Sequence, residues 1–116
     1  MTPSPKLTIR SLCVRAVDVP LARPLQTGGG LVGSAPLALI DLETKEGVTG
    51  SSYLFCVASA ALKPTVQLLQ NLAEWLGGKP LQPYSLERML HERLRLAGVQ
   101  GLTGMAIAGI DMAAWD

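Results

Sequence analysis

The chain predicts an α+β fold: a three-stranded antiparallel meander followed by a bundle of about three helices. Three observations carry this. Apolar residues alternate in a strand-like pattern up to about residue 57 and recur at helical spacing after it. The tripeptide Lys45-Glu46-Gly47 reads as a tight turn between two strand-like runs, and so short a turn joins only antiparallel neighbours. Finally, the strands precede the helices instead of alternating with them, which is the order of a segregated α+β domain.

The first strand, about 7–19, runs from Leu7-Thr8-Ile9-Arg10 through Cys13-Val14-Arg15-Ala16-Val17-Asp18-Val19, is rich in β-branched residues, and ends at Pro20. A longer segment, Leu21 to Pro36, follows and contains Gly28-Gly29-Gly30 and Gly33. These glycines are no phosphate-binding fingerprint: no strand feeds directly into them, no helix starts after them, and no Lys-Ser/Thr follows. Two readings stay open, a flexible connection or a mobile flap, because long loops in compact domains often act as lids. The second strand, about 37–44, holds Ala38-Leu39-Ile40-Asp41-Leu42-Glu43-Thr44, and the third, about 48–55, is the return strand after Gly47, a residue suited to positive φ.

The first helix is placed at about 59–76, with Leu62, Val66, Leu69, Ala73 and Leu76 on one apolar face. Ser59 suits an N-cap, and Gly77-Gly78 closes the other end. Pro64 sits best at a first helical position, so either the regular helix begins near Lys63 or its first turn is kinked. After the linker Lys79–Tyr84, Ser85 suits a cap for a second helix at about 85–96. Either Leu86, Leu90 and Leu94 or Met89 and Leu96 face its core side, and Arg88 with Glu92 makes an i,i+4 pair. Gly98 and Gly101 separate it from a third helix at about 103–116, apolar on most sides. That helix ends on Trp115 and Asp116 with no stop signal, so the chain is expected to be the front part of a longer protein.

One hundred and sixteen residues suit one domain, 1–116, with one core. Hydrophobic residues make up 48% and charged residues only 16%, a deficit that calls for surface covered by another domain or subunit. The net charge of +1, without blocks of one sign, argues against a nucleic-acid footprint or a basic membrane patch. Met1–Lys6 carries no apolar export segment and no run is long enough to span a bilayer, so a cytoplasmic protein with Cys13 and Cys56 as free thiols is expected. No Cys/His/carboxylate cluster has metal-ligand spacing. His91, beside Glu92 and between Arg88 and Arg95, lacks a signalled partner base or nucleophile and reads as part of a solvated face. Asp41 and Asp111 sit in apolar runs, where a carboxylate must be paired, capped or exposed; a general base is the alternative reading for either. For Asp111 this means pairing with an Arg or facing a seam between domains. No residue set passes the nucleophile–base–orienter test.

Several stretches together resemble one family. They are Arg15-Ala16-Val17-Asp18-Val19-Pro20-Leu21, Ala35 to Leu42, Gly47-Val48-Thr49-Gly50, Ser52 to Phe55, Leu96-Ala97-Gly98 and Met105 to Asp116. In order and spacing these are similar to the mandelate racemase and muconate lactonizing enzyme family of the enolase superfamily, and most of all to its mandelate racemase branch. The last stretch resembles the family's "A-x-x-x-I-D-x-A-x-W-D" signature at the junction to a barrel. The resemblance implies a capping domain whose TIM barrel is missing from this chain. It also implies a parent enzyme that removes the proton α to the carboxylate of a small substrate, giving racemisation, cycloisomerisation or dehydration. Magnesium, bound by the barrel, would stabilise the enediolate. By the same resemblance two loops select substrate: one around Leu25, Gln26, Gly29 and Val32, the other around Tyr53, Phe55 and Val57. Val32 and Phe55 keep the family's pattern; Leu25 and Gly29 stand where valines are expected, and Val57 where a tyrosine is. These departures imply a more flexible lid and a differently shaped pocket. No catalytic or metal-binding residue is assigned to this chain, which alone is expected to be inactive and to self-associate through the face the barrel would cover. The competing readings are a free-standing α+β binding or interaction module with a Gly-rich flap, and a small enzyme using His91 with Glu87 or Glu92.

Overall fold

A computed structural model describes residues 6–98 and 100–116. Met1–Pro5, read above as lacking an export segment, lie outside them. The element order is β1 (Ile9–Thr27), β2 (Gly30–Thr44), β3 (Thr49–Phe55), α1 (Ser59–Leu76), α2 (Pro83–Arg93) and α3 (Gly101–Trp115). The three strands form one antiparallel sheet in the order β1-β2-β3, and all three helices follow it. No described helix is long and apolar enough to cross a membrane.

Alternation along β2 sets the two faces of the sheet. Pro36, Ala38, Ile40, Leu42 and Thr44 are buried, and the residues between them are not. The same inner face carries Ile9 and Leu12 of β1 and Leu54 of β3. Ile9 and Leu12 can both point inward although three residues apart, because a one-residue bulge falls between Ile9 and Ser11. The helices cover this face: Leu69, Leu72 and Leu76 of α1, Leu86 and Leu90 of α2, and Ile107 and Ile110 of α3 join one core. Gly47 has φ 83° and closes the β2–β3 turn as its sequence predicts.

Several boundaries differ from the sequence reading. The largest difference is the segment 21–36, which is neither a loop nor a free flap. It forms the distal half of a β1–β2 hairpin, with Leu25 opposite Val32, Gln26 opposite Leu31 and Thr27 opposite Gly30. Gly28-Gly29 is a two-residue turn, with Gly30 at φ 123° and the Thr27 hydroxyl donating to the Gly30 carbonyl at 2.7 Å. Pairing survives Pro20 and Pro24 because β1 bulges between Pro20 and Leu25, so four residues, Leu21–Pro24, stand against one, Gly33.

Gly77 caps the C-terminal end of α1 as expected, but neither serine serves as an N-cap. Ala58 is the N-cap of α1 without a side-chain bond, and α2 starts two residues early because Pro83, with its fixed φ and missing N–H, takes the first turn. Pro64 lies inside α1 after a tightened start in which the Ala61 N–H reaches the Ala58 carbonyl at 2.9 Å. Of the two faces offered for α2, Leu86 and Leu90 are buried while Leu96 is fully exposed beyond the helix end. No Arg88–Glu92 ion pair forms among the described residues; the i,i+4 contact is His91 Nε2 to Glu87 Oε1 at 3.5 Å. The linker after α1 is pinned to β1 by Gly78 N–H to Ile9 O at 2.8 Å and Ile9 N–H to Lys79 O at 2.9 Å.

Candidate functional site

Two segments meet where the hairpin arm passes the start of α1. Leu31, Val32, Gly33 and Ser34 from the arm and Val57, Ala58 and Ser59 from the β3–α1 connection line an open cavity of about 280 Å³. Val32 and Val57, predicted from separate loops, thus share one surface.

Val57 is held there by an unusual backbone. Its φ is 65°, and the Ala58 N–H reaches back to the Cys56 carbonyl at 2.6 Å. A two-residue-span bond around a residue of positive φ is a γ-turn of the rare, strained kind. For a β-branched side chain this conformation costs about 1–3 kcal/mol. The turn leaves Val57 59% exposed at the cavity. Its anchor is the Cys56 N–H, which continues the β2 ladder by donating to the Pro36 carbonyl at 2.9 Å.

The other residues assigned to the two loops are spread more widely. Leu25 faces Val32 across the arm and so shares its side of the ribbon. Gln26 pairs with Leu31 on the opposite side, and Gly29 sits in the turn at the tip. Tyr53 and Phe55 alternate with buried Leu54, so both lie on the outer face of the sheet, opposite Leu39 and Leu37. The cavity therefore gathers Val32 and Val57 of the seven and leaves out the other five. It also brings in Leu31, Ser34 and Ser59, which sequence reasoning missed as lining residues. Gly28-Gly29 between strand-like runs was the available signal for a hairpin that fixes the register of Leu31 and Ser34. Nothing in the sequence marks the positive φ of Val57, since valine is among the residues least suited to it.

The two carboxylates in apolar runs resolve differently. Asp41 lies on the outer sheet face, where Ser51 Oγ donates to it at 2.7 Å and Arg15 approaches to 3.7 Å. Asp111 makes no Arg pair; its Oδ1 is buried with no hydrogen-bond partner among the described residues. Neither residue lines the cavity. His91 and Glu87 form a half-exposed pair on α2. Cys13 is exposed, Cys56 is buried, and both are free.

α3 is bound to the sheet at close range yet keeps an uncovered stripe. Ser51 N–H donates to Asp116 Oδ2 at 3.0 Å. Its outward residues include exposed Ala108, Met112 and Trp115, and the Trp115 ring meets the exposed Tyr84 ring edge-on at 5.3 Å.

A family model for the mandelate racemase / muconate lactonizing enzyme N-terminal domain matches residues 9–116. The D-galactarolactone cycloisomerase of Agrobacterium fabrum is 33% identical over 79 residues, which are 67% of this chain and 20% of that protein. A Bradyrhizobium enolase solved with magnesium and mandelic acid is 45% identical, with a TM-score of 0.88 over 96% of this chain and 31% of that one. An enolase of alpha-proteobacterium bal199 with bound magnesium is 38% identical, with a TM-score of 0.88 over 94% of this chain and 30% of that one. The chain therefore spans about a third or less of the length of these relatives. Among the described residues no three His, Cys, Asp or Glu side chains come together to hold a metal ion.

Proposed function

The chain belongs to the mandelate racemase / muconate lactonizing enzyme family as its N-terminal domain, and from that premise we propose that it caps a catalytic barrel and selects the barrel's substrate. The observation that carries this reading is the cavity shared by Val32 and Val57. An apolar side chain held out on a strained turn, beside a second on a projecting arm, is suited to contact the apolar group of a small carboxylate and to exclude water from it. Leu25, Gln26 and Gly29 shape the arm, and Tyr53 and Phe55 extend the apolar surface along the sheet edge. In this reading the barrel supplies the bases and the magnesium, and the parent reaction begins with abstraction of the proton α to the substrate carboxylate.

The face of α3 supports the docking half of the proposal. A helix apolar on nearly every side belongs between two layers, and here only one layer is present. Met112 and Trp115 would meet the barrel, and Asp111 would find a hydrogen-bond donor there. Without that cover the same stripe draws copies of the chain together.

The test is a chimera in which this chain replaces the N-terminal domain of the Bradyrhizobium enolase. Mandelate turnover with magnesium is expected, with discrimination among ring-substituted and aliphatic 2-hydroxy acids that shifts in Val57→Tyr and Val32→Ala. Unaltered discrimination in both variants overturns the selective role. The chain alone is expected to turn over neither mandelate nor sugar acids.

A further inference from the structure

Asp18 stands at the root of the arm, opposite Pro36 in register and two residues beyond Ala16, the partner of buried Ala38. Its Oδ2 accepts a hydrogen bond from Ser59 Oγ at 3.4 Å. Ser59 is the first residue of α1, a helix with no side-chain N-cap and no acidic residue in its first turn. The positive end of a helix dipole attracts a carboxylate, and a residue from β1 brings one to it. On the other strand of the arm, the Pro36 carbonyl takes the Cys56 N–H at 2.9 Å, immediately before the Val57 turn. The arm is thus joined to the β3–α1 connection twice, once by backbone through Pro36 and once by side chains through Asp18.

We propose that Asp18 and Ser59 form a latch that holds the root of the arm against the start of α1 and so sets the gap between Val32 and Val57. Asp18 is then a positioning residue, acting on the cavity through the arm and the turn. The consequence for selectivity rests on the function proposed above; the latch itself does not. Beyond Asp18 the β1 strand of the arm carries only exposed or half-buried residues, so the contacts at its root bear on its pose.

Amide hydrogen exchange in this chain tests the latch, using Ser59→Ala, Asp18→Ala, the double variant and Asp18→Asn. The N–H groups of Cys56, Ala58 and Ala61 are expected to exchange roughly three- to tenfold faster in each alanine variant, as for loss of one hydrogen bond. The double variant should exchange no faster than either single one, because both remove the same contact. Asp18→Asn keeps an acceptor and should fall between wild type and Asp18→Ala. The Ile40 and Leu54 amides of the core should not change. Unaltered exchange at Cys56, Ala58 and Ala61, or a double effect equal to the product of the single ones, overturns the proposal. Barrel docking does not enter the exchange readout, so loss of substrate discrimination in the chimera and loss of the latch are separable failures.

Discussion

The hydroxyl of Ser52 donates to the main-chain carbonyl of Gly109 at 2.7 Å, so β3 and α3 touch side chain to backbone. Glycine makes this approach possible. A Cβ at Gly109 would lie 2.6 Å from Ile40 Cδ1 and 3.0 Å from Leu54 Cδ1. A Cβ at Gly50 would run into the Ala113 carbonyl oxygen.

The two glycines should differ in tolerance. Gly109→Ala pushes on the flexible ends of Ile40 and Leu54 and is expected to cost about 1–2 kcal/mol. Gly50→Ala meets backbone, which cannot step aside, and should cost about 3 kcal/mol or more. Urea unfolding of both variants reads the difference; equal costs would mean that α3 shifts as a body.

Val57→Gly removes the strain of positive φ while giving up little buried surface. A net gain of about 1 kcal/mol is expected once the extra freedom of glycine in the unfolded chain is counted. Thermal unfolding measures it. A stabler chain whose chimera loses substrate discrimination would identify the strain as serving the site.

Trp115→Ser combined with Met112→Ser takes apolar area from the exposed stripe of α3. Self-association of the chain, followed by sedimentation velocity over a concentration series, is expected to weaken at least several-fold. Unchanged association would place the contact elsewhere, with the outer sheet face around Tyr53 and Phe55 the next surface to alter.

A thiol reagent should modify Cys13 promptly and leave Cys56 untouched until the chain unfolds, because only the first is exposed. Mass spectrometry of the labelled chain before and after denaturant counts the two. Early modification of Cys56 would reveal opening of the β3–α1 connection.

Much of the fold was legible because it rests on periodicity. Leu69, Leu76, Leu86 and Leu90 lie at helical spacing, and all are buried. Gly47 marked its own turn. The N-caps are not legible because Ser59 and Ser85 look like capping residues, whereas Pro83 fixes the start of α2 by its ring and Ser59 turns its hydroxyl toward Asp18. The arm is not legible because two prolines argue against a strand unless a bulge absorbs them, and a bulge leaves no pattern of its own. Of the site, Val32 was placed by its resemblance and Val57 likewise; their meeting depends on the register of the arm and on a backbone angle that valine does not advertise.

The bulge at Leu21–Pro24 has a consequence for how such an arm can change. Residues added or removed there are absorbed outside the ladder, so Ala38, Ile40 and Leu42 keep their inward parity whatever the count. The tip, from Leu25 to Val32, can then be lengthened, shortened or re-aimed like a tool in an adjustable holder, while the core registers nothing. Selection acting on reach is thereby uncoupled from selection acting on folding.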